Sequence, residues 1–129
     1  MKLLHADLTQ GIINAFYDVY NELGRGFLEK VYQNALAIEL ISRGFIVETQ
    51  KRIDVFYKGE QVGEYYADIV VNDKVILELK AAECLVEAHE WQLLNYLKAT
   101  HIEVGLLLNF GSKPEFRRKV FDNERKNLR

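Results

Sequence analysis

The stretch Tyr65–Lys80, YYADIVVNDKVILELK, leaves this chain little conformational choice. Two short apolar runs, Ile69-Val70-Val71 and Val75-Ile76-Leu77, flank Asn72-Asp73-Lys74. Unbroken runs rich in β-branched residues read as strands buried on both faces, here joined by a tight turn. Charges in such strands need partners or a metal, because burying an unpaired carboxylate or ammonium is costly. Asp68, Glu78 and Lys80 stand where the apolar runs end or are interrupted.

Side chains in a strand alternate faces, so Glu78 and Lys80 point one way and Leu79 the other. The direction of Asp68 depends on the turn. A two-residue loop, Asn72-Asp73, would put Asp68 and Glu78 on opposite faces. A three-residue loop, Asn72-Asp73-Lys74, pairs Val71 with Val75 and Asp68 with Glu78, on one face and roughly 5 Å apart at Cβ. Two carboxylates so close repel, which suits a divalent cation between them. The spacing therefore predicts the three-residue register, or a bulge of equal parity.

An Asp followed ten residues on by Glu-x-Lys across a hairpin resembles the PD-(D/E)XK nuclease superfamily, with Ala67 where that motif often has Pro. Two further patterns narrow the likeness. Gly26, Glu29 and Tyr32 read as GxxExxY, and Gln92 to Tyr96 reads as QxxxY. Together they resemble the small GxxExxY proteins, related to RecB-like nucleases, over about residues 11–111. The resemblance implies an α/β (α+β) restriction-endonuclease-like core in one domain: a mixed four-stranded sheet flanked by helices, in the order ααβββαβ. It also implies a metal-dependent nuclease acting on DNA, or on RNA. Asp68 and Glu78 would hold Mg²⁺ or Mn²⁺, hard cations that prefer carboxylates and water, with the Leu79 carbonyl as a further ligand. Lys80 would orient the attacking water or stabilise developing charge. Glu29 would complete the shell from its helix, while Gln92 and Tyr96 would border the site and position Lys80 or a phosphate.

Bland readings compete at several of these positions. Glu29 in a first helical turn can be a simple dipole interaction. Tyr96 alone is an ordinary amphipathic core residue, and His89 an ordinary surface histidine. Glu39 reads as the partner of a buried Lys or Arg. Lys51, Arg52 and Lys58 could touch phosphates or merely keep a strand edge soluble. A non-catalytic module acting through a nucleic-acid or protein partner is the alternative reading. A third is a structural two-layer domain whose charges pair internally.

Composition sets outer limits. The 129 residues suffice for one domain with one core. The net charge of −2 does not advertise a nucleic-acid binder. Residues 113–129, however, carry seven Lys or Arg against three acids and read as a basic tail, most simply a solvated terminal helix. Nothing approaches the roughly 18 apolar residues of a membrane span. The N-terminal MKLLHADLTQ lacks the features of a leader. Cys84 is the single cysteine, read as buried, so a reducing cytoplasm is expected. A homodimer is a possible arrangement for so small a nuclease.

Along the chain, Asp7-Leu-Thr-Gln10 resembles a capping box before a helix whose apolar residues are Leu8, Ile12, Phe16, Val19 and Leu23, closed by Gly24. A second helix is expected over Leu28–Arg43, with Leu28, Val31, Tyr32, Ala35 and Leu36 as its stripe. Residues 46–57 and 61–71 read as strands around a Lys58-Gly59-Glu60 turn, with Gly63 marking a bulge. A helix over Glu87–Ala99 and a buried strand over Glu103–Phe110 follow. The latter should run parallel to the strand carrying Glu78.

Overall fold

The computed structural model describes residues 3–126. Its elements are helices α1 (Ala6–Leu23) and α2 (Glu29–Ser42), strands β1 (Val47–Tyr57), β2 (Glu60–Val71) and β3 (Val75–Lys80), helix α3 (Glu87–Lys98), and strands β4 (Val104–Phe110) and β5 (Pro114–Val120). A 3₁₀ turn, Asn123–Arg125, follows. The strands form one sheet in sequence order, antiparallel throughout except for the parallel pair β3–β4.

Every residue of β4, VGLLLNF, is buried, because helices cover both faces of the sheet. On one face α1 and α2 lay Ile12, Phe16, Tyr32, Leu36 and Leu40 against Ile69, Leu77, Leu79, Leu106 and Leu108. On the other, α3 lays Leu93, Tyr96 and Leu97 against Ile53, Val70, Ile76 and Leu107. Leu106 and Leu107 feed opposite clusters, as the period-two alternation of a strand requires.

The β2–β3 turn spans three residues. Val71 pairs with Val75, Val70 with Ile76 and Ile69 with Leu77, and Asn72 and Asp73 adopt positive φ to close it. Lys58 and Gly59, both at positive φ, close the β1–β2 hairpin. The register slips between Val55↔Gly63 and Phe56↔Gln61, a bulge beside Gly63.

Several local expectations need correction. The sheet has five strands, not four: the basic segment forms β5 along β4 instead of a solvated helix. Residues 127–129 of that segment lie outside the described residues. Helix α1 starts at Ala6 with His5 at its N-cap and no side-chain cap. Asp7 therefore sits in the first turn, where its charge favours the helix N-terminus. The buried stripe of α2 is Tyr32, Gln33, Leu36 and Leu40, and Leu28 and Val31 face outward. Glu39 pairs with Arg43 one turn away at the surface. Cys84 is exposed, because it lies in the short connector after β3.

That connector is clamped to the end of β4. The buried Asn109 side chain accepts from the Ala82 N–H (3.0 Å) and donates to the Ala82 carbonyl (2.9 Å). Gly111 permits this contact, since a Cβ there would lie 1.8 Å from the Ala82 oxygen. Gly111→Ala is expected to cost at least about 2 kcal/mol, because backbone must move to admit the methyl group. A urea midpoint equal to wild type would refute that account.

Candidate active site

The site grows from the point where the β2–β3 ladder stops. Beyond Ile69↔Leu77, side chains take over from backbone acceptors. The Asp68 N–H donates to Glu78 Oε2 (2.8 Å), and the Leu79 N–H donates to Asp68 Oδ2 (2.8 Å). Each carboxylate is thus anchored through one oxygen by a main-chain amide of the opposing strand. No hydrogen bond engages Asp68 Oδ1 or Glu78 Oε1 among the described residues.

Strand parity changes at this point. Ala67 packs in the α3-side cluster and Ile69 in the α1/α2-side cluster, although residues two apart should share a face. Opposite the break, Gln50 of β1 adopts φ 50° and leaves a gap between the pairs Thr49↔Ile69 and Lys51↔Ala67. Its amide donates to the buried Gln33 of α2 (2.8 Å). The paired irregularity lets the β1–β2 ribbon turn across α3 while Asp68 stays at the crossover. Neither glutamine stood out in the sequence. Gln33, a polar residue next to the Tyr32 stripe, was the available signal.

Glu78 and Lys80 point toward α3, on the same face as Ile76. The Lys80 ammonium donates to Gln92 Oε1 (3.0 Å), and Gln92 Nε2 donates to the Tyr96 hydroxyl (3.2 Å). Tyr96 is buried, with its ring 5.7 Å from that of Tyr65. Burial, and next the Glu78 charge, raise the Tyr96 hydroxyl above its usual range. Lys80, Gln92 and Tyr96 therefore form one hydrogen-bonded line from hairpin to helix, and the Lys80 charge reaches the neighbouring Glu78 without a direct bond. His89 lies apart and caps its own helix by accepting the Val86 N–H.

Glu29 is exposed at the start of α2. Its charge reaches Glu78 as the smallest of the influences on that group. Among the described residues no three Asp, Glu, His or Cys stand close enough to hold one ion jointly, so Glu29 stays outside the Asp68–Glu78 pair. Leu79 meets the pair through its N–H. Tyr32 is fully buried: its hydroxyl donates to the Gly24 carbonyl (2.6 Å) and accepts the Phe27 N–H (3.2 Å), and its ring stacks on Phe110. It fixes the loop that presents Glu29. Lys51 is engaged by Glu48, and Arg52 by Asp54 and Glu64.

Glu78 is 3% exposed, and its carboxyl is pushed up to about 8, first by burial and then by the Asp68 charge. The Asp68 N–H and Lys80 oppose that rise. A buried and a half-buried acid facing each other, each with one unengaged oxygen, fit a hard divalent cation.

The profile of the PD-(D/E)XK nuclease superfamily matches residues 6–119. The chain belongs to that superfamily. In fold the domain also resembles the crystal structure of SSO0001, with a TM-score of 0.60 at 17% identity over 72% of this chain. The match spans 50% of the SSO0001 chain, so this chain corresponds to about half of that protein. No curated protein matches this superfamily member.

The raised Glu78 has a consequence for metal-free protein. Its folded pKa lies near 8 against an ordinary 4.5, so between these values the folded state holds the proton more tightly than the unfolded chain. Stability is then full below about pH 4.5 and falls as pH rises toward 8, a loss on the order of a few kcal/mol from this group. In EDTA, Glu78→Gln should raise Tm at pH 8.5 and remove most of the decline between pH 5 and 8.5. Parallel Tm–pH curves for the two proteins would refute this.

Proposed function

We propose that this protein is a metal-dependent nuclease that hydrolyses phosphodiester bonds in DNA, or in RNA. The observation that carries the reading is the Asp68–Glu78 pair, tied by each other's strands and left with one unengaged oxygen apiece. Asp68 and Glu78 would hold the ion. When bound, Mg²⁺ or Mn²⁺ acidifies water and neutralises charge on the phosphate. Lys80, held at 3.0 Å by the neutral Gln92 and in no ion pair among the described residues, is available to the phosphate or the attacking water. Tyr96 orients Gln92 from the far side and so acts through it. Glu29 adds negative field from outside the pair. The Gly26, Glu29 and Tyr32 pattern supports placing the chain among the GxxExxY proteins, with Tyr32 setting the geometry of that loop.

The reading is tested with linear, circular and single-stranded DNA, and with RNA, in Mn²⁺ and Mg²⁺. Asp68→Ala and Lys80→Ala should each lower cleavage at least about 100-fold with the fold intact by circular dichroism. Equal cleavage by mutant and wild type would sink the assignment, and binding without turnover by wild type would favour the non-catalytic module.

The state of Glu78 gives a second test. Near pH 7 the ion must displace a proton held at a pKa of about 8. Calorimetric Mn²⁺ titrations in two buffers of different ionisation enthalpy should therefore report release of up to about one proton. Asp68→Asn should lose the binding signal. Buffer-independent heats at pH 7 would contradict the assignment of Glu78 as a ligand.

A further inference from the structure

We propose that the groove between α3 and the outer half of the β1–β2 hairpin receives an unpaired nucleobase of the strand under cleavage, an inference that rests on the nuclease reading. The groove encloses about 680 Å³, within the range of small-ligand sites. Phe56 and Tyr65 line it from the hairpin, and Trp91, Asn95 and Lys98 from the helix. Its inner end is formed by Gln92 and Tyr96, the residues that connect to Lys80. A ligand in the groove therefore abuts the groups assigned to phosphate chemistry.

The lining is built for a flat aromatic ligand. Trp91 is 51% and Tyr65 50% exposed, so large π-surfaces stand in water beside the candidate site. Stacking on such faces is the common mode of holding unpaired bases, and it tolerates any base. Asn95 can both donate to and accept from a base edge. The Lys98 ammonium lies 5.7 Å over the Trp91 ring and 5.7 Å over that of Phe121, a positive charge in the lining that the phosphates of a bound strand could meet. The acid of the lining, Asp54, is engaged by Arg52 and Gln61, which reduces its repulsion of phosphate. A base in a duplex has both faces covered by its neighbours and its edge by its partner. Only a single strand, a frayed end or an everted base presents what this groove can hold.

Trp91 is the only tryptophan of the chain, so its emission reports on the groove directly. The full chain in Ca²⁺ is titrated with single-stranded DNA, single-stranded RNA and blunt duplex DNA of one sequence. The single strands should quench Trp91 and shield it from acrylamide, and the duplex should do neither. By anisotropy, Trp91→Ala and Tyr65→Ala should bind the single strands about tenfold more weakly, with duplex affinity changed less than twofold. Both side chains are half exposed, so the variants should fold, with circular dichroism as the check. Unaltered emission with both single strands, equal quenching by duplex, or variant affinities equal to wild type would overturn the groove. Absence of metal-dependent cleavage on every substrate would instead overturn the nuclease reading, and the Ca²⁺ titration would still decide the groove by itself.

Discussion

The exchange of acceptors between Asp68 and Glu78 is the constraint on which the rest depends. A regular antiparallel ladder would bond the two backbones to each other. Here the carboxylates take the place of the carbonyls as acceptors, which separates the strands just past Ile69↔Leu77. Two N–H groups can hold two carboxylates, but they cannot neutralise them. Burial first, and then the Asp68 charge, make Glu78 keep a proton up to about pH 8. The fold tolerates this unfavourable arrangement because the surrounding core is complete on both faces of the sheet. On the proposed reading, a cation would be the stabilising counterpart of this acid pair.

The scaffold around the pair is held by polar side chains near the carboxyl ends of the parallel strands β3 and β4. The Tyr20 hydroxyl donates to the Gly111 carbonyl (2.8 Å), and the Tyr32 hydroxyl to the Gly24 carbonyl. Asn109 clamps Ala82, and Glu115 of β5 accepts from the Leu85 N–H. That N–H, above all, holds the Glu115 carboxyl below its usual range. These bonds fasten the segment before α2 to Tyr32, and the connector after Lys80 to β4 and β5. The elements that carry Glu29 and Lys80 thus leave the sheet with little freedom to wander.

Sequence periodicity exposed the hairpin well, for a definite reason. Both apolar runs are bounded by charges whose parity depends on the turn, and only a three-residue turn brings Asp68 and Glu78 together. The same reasoning failed on residues 114–120. Phe116 and Val120 are four apart, a spacing that puts residues on one face of a helix and of a strand alike. Arg117, Arg118 and Lys119 then suggested a solvated helix. What decides for a strand is non-local: β4 would otherwise leave its outer edge unpaired. Gln33 and Gln50 escaped for a related reason. Their contact joins α2 to a strained turn of β1, and no pattern within either element contains it.

The partner chosen for Lys80 bears on the chemistry more than the presence of the lysine does. Were its ammonium bonded directly to Asp68 or Glu78, the ion pair would quench both charges and the acid pair would have less need of a cation. Instead the Lys80 nitrogen rests on the amide oxygen of Gln92, and Glu78 feels it only at a distance, as the weaker of two effects that lower its carboxyl. A neutral acceptor fixes the position of the ammonium without consuming its charge. Gln92 is fixed in turn by the buried hydroxyl of Tyr96. Positive and negative groups are thereby kept adjacent yet uncompensated, which is the condition under which an anionic phosphate and a divalent ion can both be bound in one place.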